Sequence, residues 1–196
     1  MVGMVWGMKA DYATWFGAAP DHAEFVHGIN LLPITAASLH LGHDSEYVLE
    51  NYNFLDDSYG IDEWEDILWE YLALGDPQLA VDNLISNPNY SPAGSPVNET
   101  QAHTYHWIHN LNAMGLVHSD ITANTPSYAV FDKNGFKIYV AYNSSETNID
   151  VLFSDGAMMS VPAGELVFLR EDTNGINADA GDNMTFSFIY GYDELV

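Results

Sequence analysis

Apolar residues recur at helical spacing through roughly the first 120 positions of this chain and at alternate positions after them. Pro33 and Thr35 precede Ala36-Ala37-Ser38-Leu39-His40-Leu41, a short helix that Gly42 is expected to stop. Asp44 is placed to cap a second helix, in which Val48, Tyr52 and Leu55 share one face at spacings of four and three. A third helix is predicted from about Ile61 to Leu74, with Ile61, Trp64, Leu68, Tyr71 and Leu72 facing inward. Asp76-Pro77 supplies an N-cap and a first-turn proline for a fourth, followed by Ala80, Val81, Leu84 and Ile85. A Pro/Asn/Ser-rich loop covers Asn87 to Asn98, and a fifth helix fits Thr100 to Met114, ending at Gly115.

After Asn124 the period is two. Phe136, Ile138, Val140 and Tyr142 alternate with Lys137, Tyr139 and Ala141, and the same alternation carries Ile149, Val151 and Phe153, then Phe186, Phe188 and Tyr190. Asn134-Gly135 and Asp155-Gly156 fall between such runs, the dipeptides that best favour tight hairpins. The expected fold class is therefore α+β. Five helices with broad apolar faces are too few to close a six-plus-six α/α helical barrel. The expectation is a partial barrel over residues 1–120, followed by a small antiparallel, sandwich-like β module over 121–196. The missing barrel helices are expected upstream.

Composition narrows the class of partner. Lys and Arg number 4 against 28 Asp and Glu, a formal net charge of −24. Such a chain meets phosphates with carboxylates, so nucleic acid is excluded as a partner. The acids are scattered instead of blocked, which reads as a whole-surface adaptation to salt. A hydrophobic fraction of 47% is too high for a disordered acidic tail. With Cys 0 there is no disulfide, thiolate metal site or cysteine nucleophile. No stretch approaches the ~18 apolar residues of a membrane span, so no membrane partner is expected. The opening Met1-Val2-Gly3-Met4-Val5-Trp6-Gly7-Met8-Lys9 does not read as a signal peptide, and an export signal would belong to a longer parent.

Candidate chemistry gathers in two aperiodic segments, Lys9 to Gly17 and Val26 to Pro33. Asp11, Tyr12, Trp15, Phe16, His27 and Asn30 combine flat aromatic faces with polar tips, the pairing that suits sugar rings and their hydroxyls. Taken singly, Trp15 and Phe16 read equally well as core plugs. His103, His106 and His109 recur every three residues, but no H-E-x-x-H pattern accompanies them, and interleaved Tyr105, Trp107 and Ile108 favour a half-buried aromatic helix over a metal site. Asp56-Asp57 and Glu63-Glu65-Asp66 read as solvated helix ends and faces. Serine-nucleophile and phosphate-loop motifs are absent. Sequons at Asn98, Asn143 and Asn183 carry no weight, being short enough to arise by chance.

The segments Gly3-Met4-Val5-Trp6-Gly7, Asp11-Tyr12-Ala13-Thr14-Trp15-Phe16, His27-Gly28-Ile29-Asn30 with Leu32-Pro33, Asp76-Pro77, and Ala102 to Asn112 together resemble glycoside hydrolase family 81, the endo-β-1,3-glucanases. Tyr128-Ala129-Val130-Phe131 and Tyr139 to Asn143 resemble the tail that follows the barrel in bacterial members. The resemblance implies a parent with an N-terminal β-sandwich, a small α/β region and a six-plus-six barrel. Such a parent would cleave internal β-1,3-glucosidic bonds with inversion, through an Asp acid and a Glu base and without a metal or other cofactor. Those carboxylates belong to a D-G-H-S-W loop and an E-S-x-S-E stretch, and neither occurs in this sequence. The implied reading is the C-terminal part of a secreted glucanase. It would bind β-1,3-glucan through Asp11, Tyr12, Trp15, Phe16, His27 and Asn30, with its catalytic residues in the N-terminal part of the same enzyme. The alternative is a non-catalytic glucan-binding or structural module. A calcium-loaded adhesin is disfavoured, because no D-x-D-x-D-G loop is present.

Overall fold

In the computed structural model, which describes residues 34–59, 65–92, 100–172 and 175–176, helices begin where side chains satisfy their first backbone amides. Thr35 Oγ1 accepts from the Ala37 N–H at 3.2 Å while Ser38 Oγ accepts from the Thr35 N–H at 3.2 Å. This reciprocal cap opens a 3₁₀ helix, Ala36–His43. The helix runs through Gly42 instead of stopping there. Gly42 is buried, and a Cβ on it would lie 3.0 Å from Val117 Cγ2, so its role is close approach and not termination.

Asp44 Oδ1 accepts from the Tyr47 N–H at 2.9 Å and starts α1, Ser45–Tyr59, whose Val48, Tyr52 and Leu55 are buried as their spacing predicts. Helix α2 is Glu65–Leu72. Leu68, Tyr71 and Leu72 face inward as expected, whereas Ile61 and Trp64 lie outside the described residues. Asp76 Oδ1 accepts from the Leu79 N–H at 2.9 Å, with Pro77 in the first turn, and opens α3, Pro77–Ser86. Its Ala80, Val81 and Leu84 are buried but Ile85 is 66% exposed. Thr100 Oγ1 accepts from the His103 N–H at 3.1 Å, and α4, Gln101–Met114, ends at Gly115.

Helix α2 packs against α1, α3 and α4 together, and from Asp66 to Leu72 every residue is buried. This corrects the reading of Asp66 as a solvated position. Charge on a helix predicts a wet face only when one side of the helix meets water, and α2 has no such side.

Among the described residues seven strands follow: β1 Leu116–Val117, β2 Tyr128–Lys133, β3 Phe136–Tyr142, β4 Ile149–Leu152, β5 Met158–Val161, β6 Leu166–Asp172 and β7 Gly175–Ile176. A five-stranded antiparallel sheet has the order β1-β2-β3-β6-β7, and β4-β5 form a separate hairpin. Lys133 pairs with Phe136 across Asn134-Gly135, where φ is 57° and 83°, the left-handed pair a two-residue hairpin needs. The alternation of Phe136, Ile138, Val140 and Tyr142 with Tyr139 and Ala141 separates two cores instead of core from solvent. Phe131 and Ile138 join the helical core, while Val130, Tyr139, Ala141 and Leu169 join Val151, Phe153, Met159 and Val161 of the hairpin. The described molecule is thus three layers, helices, sheet and hairpin, with the sheet buried on both faces. The predicted strand around Phe186, Phe188 and Tyr190 lies outside the described residues.

Candidate functional site

Asp11, Tyr12, Trp15, Phe16, His27 and Asn30 all lie outside the described residues, as do Glu63 and the sequons at Asn98 and Asn183. What the structure does bring together is a group of polar and aromatic side chains where α2 meets α4. Asp66 and Glu70 are one turn apart on α2, and both are wholly buried. The Trp107 indole N–H donates to the Glu70 carbonyl at 2.9 Å, which fixes that ring against α2. The His103 imidazole stacks on Trp107 with centroids 6.4 Å apart and 20° between planes. Its Nε2 stands 3.8 Å from Glu70 Oε2, an ion-pair distance and not a hydrogen bond. Trp69 meets Tyr90 edge to face at 5.2 Å, and Gln101 Nε2 donates to the Tyr90 carbonyl at 3.2 Å.

These carboxylates do not have the geometry of an inverting acid–base pair. Such a pair stands across a cleft, ~6.5–9.5 Å apart, with room for a sugar ring and a water between. Asp66 and Glu70 are neighbours on one helix face and neither reaches the surface. The three histidines of α4 also part company: His103 lies on Trp107, whereas His106 and His109 flank Tyr105 at 5.7 and 4.1 Å. Among the described residues no group of three His, Asp or Glu side chains converges as a metal site.

A second polar group ties the hairpin to the sheet. Tyr139 Oη donates to Asp155 Oδ2 at 2.6 Å and lies 3.3 Å from Glu171 Oε1. Lys137 Nζ sits 3.2 Å from Asp155 and 3.8 Å from Glu171. Burial and the two carboxylates push the Tyr139 phenol far above its ordinary range. Burial alone would raise Asp155, but hydrogen bonds from Tyr139, the Ala157 N–H and Lys137 outweigh it and hold the carboxyl below its usual range. Asn143 is buried beside this module, its Nδ2 donating to the carbonyls of Thr147, Val161 and Pro162 at 2.7–3.1 Å, so its sequon is a structural amide.

Glu70, Tyr90, Glu171 and the role of Tyr139 escaped the sequence reading. Glu70 had one usable signal, its i+4 spacing from Asp66; Glu171 had none, because strand pairing and not spacing carries it to Lys137.

The comparisons with known proteins agree on one family. Residues 1–108 match the model of the glycosyl hydrolase family 81 C-terminal domain. A glucan endo-1,3-beta-D-glucosidase of Acetivibrio thermocellus is 43% identical over 161 residues, 81% of this chain and 20% of the relative. A glucan endo-1,3-beta-D-glucosidase of Thermobifida fusca is 38% identical over 169 residues, 85% of this chain and 22% of the relative. A solved glycoside hydrolase family 81 protein from Clostridium thermocellum, a point mutant, superposes with a TM-score of 0.65 at 40% identity, covering 76% of this chain and 21% of that one. The chain therefore spans about a fifth of the length of the relatives it matches.

Proposed function

This chain belongs to glycoside hydrolase family 81, and from that premise we propose that it is the C-terminal part of an inverting endo-β-1,3-glucanase that supplies one wall of the glucan cleft. The observation that carries the reading is the match of residues 1–108 to the family's C-terminal domain, combined with identities of 38–43% to endo-1,3-glucosidases of which the matched stretch is only 20–22%. In this proposal α1–α4 are the closing helices of a six-plus-six barrel whose other members come from the upstream part of a secreted parent. Tyr12, Trp15 and Phe16 stack on pyranose faces, and Asp11, His27 and Asn30 hydrogen-bond sugar hydroxyls.

The acid and the base belong to that upstream part. Inversion needs one carboxylic acid to protonate the leaving oxygen and one carboxylate to activate water on the opposite ring face. The buried Asp66–Glu70 pair cannot reach a glycosidic oxygen, and neither the D-G-H-S-W nor the E-S-x-S-E motif is in this sequence. Each positioned proton-transfer group typically contributes ~10²–10⁴-fold, so the chain alone should lack measurable turnover.

Reducing-end release from laminarin is the test. The purified chain is expected to give none, while the parent containing it is active and weakened in laminari-oligosaccharide binding by Trp15→Ala. Turnover by the chain alone that disappears in Asp11→Asn would overturn the proposal and make Asp11 catalytic.

A further inference from the structure

Asp66 and Glu70 stand one turn apart on α2, both wholly buried, at the spacing that brings two side chains to one helix face. Ionised carboxylates taken out of water need a cation against them, since neither solvent nor bulk salt is there to stabilise the charge. His103 lies 3.8 Å from Glu70 Oε2, but its side chain is 37% exposed and it brings at most one charge to two acids. Permanent cations are scarce, with Lys and Arg numbering 4 in the whole chain. Lys133 donates to the Asn112 carbonyl and side chain, and Lys137 sits between Asp155 and Glu171. Arg170 is exposed on β6, a strand packed on β3, β5 and β7. The fourth is Lys9, which opens the segment carrying Asp11, Tyr12, Trp15 and Phe16.

We propose that Lys9 is the counter-ion of the Asp66–Glu70 pair, and that these two acids are positioning residues that tie the aromatic segment to α2. The positioning role rests on the glucanase reading above; the ion pair does not. One ammonium has three donors, enough to serve two carboxylates whose Cβ atoms are ~5–6 Å apart across a single turn. The consequence for the segment is one of reach. Tyr12 follows Lys9 by three residues, ~10 Å of chain at full extension, and Trp15 by six, ~20 Å. Seating Lys9 on buried acids therefore confines both rings to one neighbourhood of α2. The ion pair also gives the segment a register: an apolar pair on α2 would bury as well, but it would accept any apolar neighbour.

Acetylation of the wild-type chain by a succinimidyl ester, read lysine by lysine in a mass spectrometer, tests the ion pair without any substitution. Lys9 should react at least ~10-fold more slowly in the folded chain than in urea, because a buried ammonium is reached only when the structure opens. A mutant cycle on urea midpoints supplies the partner. Lys9→Met alone should lower the folding equilibrium constant at least ~100-fold, since it leaves buried charge unbalanced. In a chain already carrying Asp66→Asn and Glu70→Gln it should cost less than ~10-fold. Where Lys9→Met alone does not fold, folding of that triple variant gives the same answer. Equal acetylation of Lys9 in the folded and unfolded chains, or an equal cost of Lys9→Met with and without the two acids, overturns the inference and leaves the glucanase reading standing. Laminari-oligosaccharide binding by the parent enzyme tests the positioning role. Lys9→Met should weaken it ~10-fold, and Lys9→Arg, which keeps the charge, by ~3-fold at most. Binding impaired by Trp15→Ala but not by Lys9→Met overturns that role. Binding impaired by neither overturns the cleft reading and the positioning role with it, while the acetylation and the cycle still decide the ion pair.

Discussion

Gly115 sits at φ +94° between α4 and β1, where a Cβ would fall 1.9 Å from the Asp132 carbonyl oxygen. No rotamer relieves that contact, because the obstacle is the backbone of the neighbouring strand. Gly115→Ala should therefore cost at least ~3 kcal/mol, combining left-handed strain with displacement of β2. Gly135 is the control: its φ is +83° but nothing lies within 4 Å, so Gly135→Ala should cost only ~1 kcal/mol. Urea midpoints at constant slope measure both, and equal losses would show that crowding at Gly115 is unimportant. The sequence marks Gly115 as a helix stop, which it is. The close approach of Asp132 is invisible there, since it depends on which strand crosses behind.

The hairpin β4-β5 is held to the sheet by a hydrophobic layer and by Tyr139, Asp155, Lys137 and Glu171, and Tyr139 and Asp155 make the stability of that junction depend on pH. The raised phenol of Tyr139 contributes stability that is fully present below the unfolded tyrosine value, ~10, and is lost as pH climbs through its folded value. Tyr52, pushed up to about 12 first by burial and then by Asp56, and buried Tyr71 add to the same alkaline decline. Asp155 works in the opposite direction. Its lowered carboxyl contributes above ~pH 4, and that contribution is lost as pH falls through the folded value. Urea unfolding of wild type and Tyr139→Phe between pH 10 and 11.5 should show the variant's decline to be shallower by about half a proton at the start of that range and nearly one at its end, the limit being about 1.4 kcal/mol per pH unit. Parallel curves would mean that the phenol titrates alike in the folded and unfolded chains.

Across the whole molecule, −24 of net charge is borne by a fold with two fully buried acids among its described residues, Asp66 and Glu70. Asp44, Glu46, Glu50, Asp56, Asp57, Asp82, Asp120, Glu146, Asp150 and Glu165 are all exposed. At 1 M salt the screening length is ~3 Å, short enough to silence repulsion between such surface charges. The melting temperature should therefore rise in molar KCl. A flat or falling value would remove salt adaptation as the reason for the acidity.

The sequence by itself determined what neighbours along the chain decide. The caps at Thr35, Asp44, Asp76 and Thr100 and the turn at Asn134-Gly135 stand where local hydrogen bonding and left-handed backbone require them. The α-then-β order and the kinship of residues 1–108 were equally legible. The six proposed sugar contacts were legible as a pattern of residue types, and they lie outside the described residues. Only the tertiary structure decided that α2 has no wet face, so that Asp66 and Glu70 are interior, and that Ile85 is surface. It alone set the sheet between two cores and carried Glu171 to Lys137. The reason is the same in each case: periodicity reports which side chains share a side of an element, and only packing decides what covers that side.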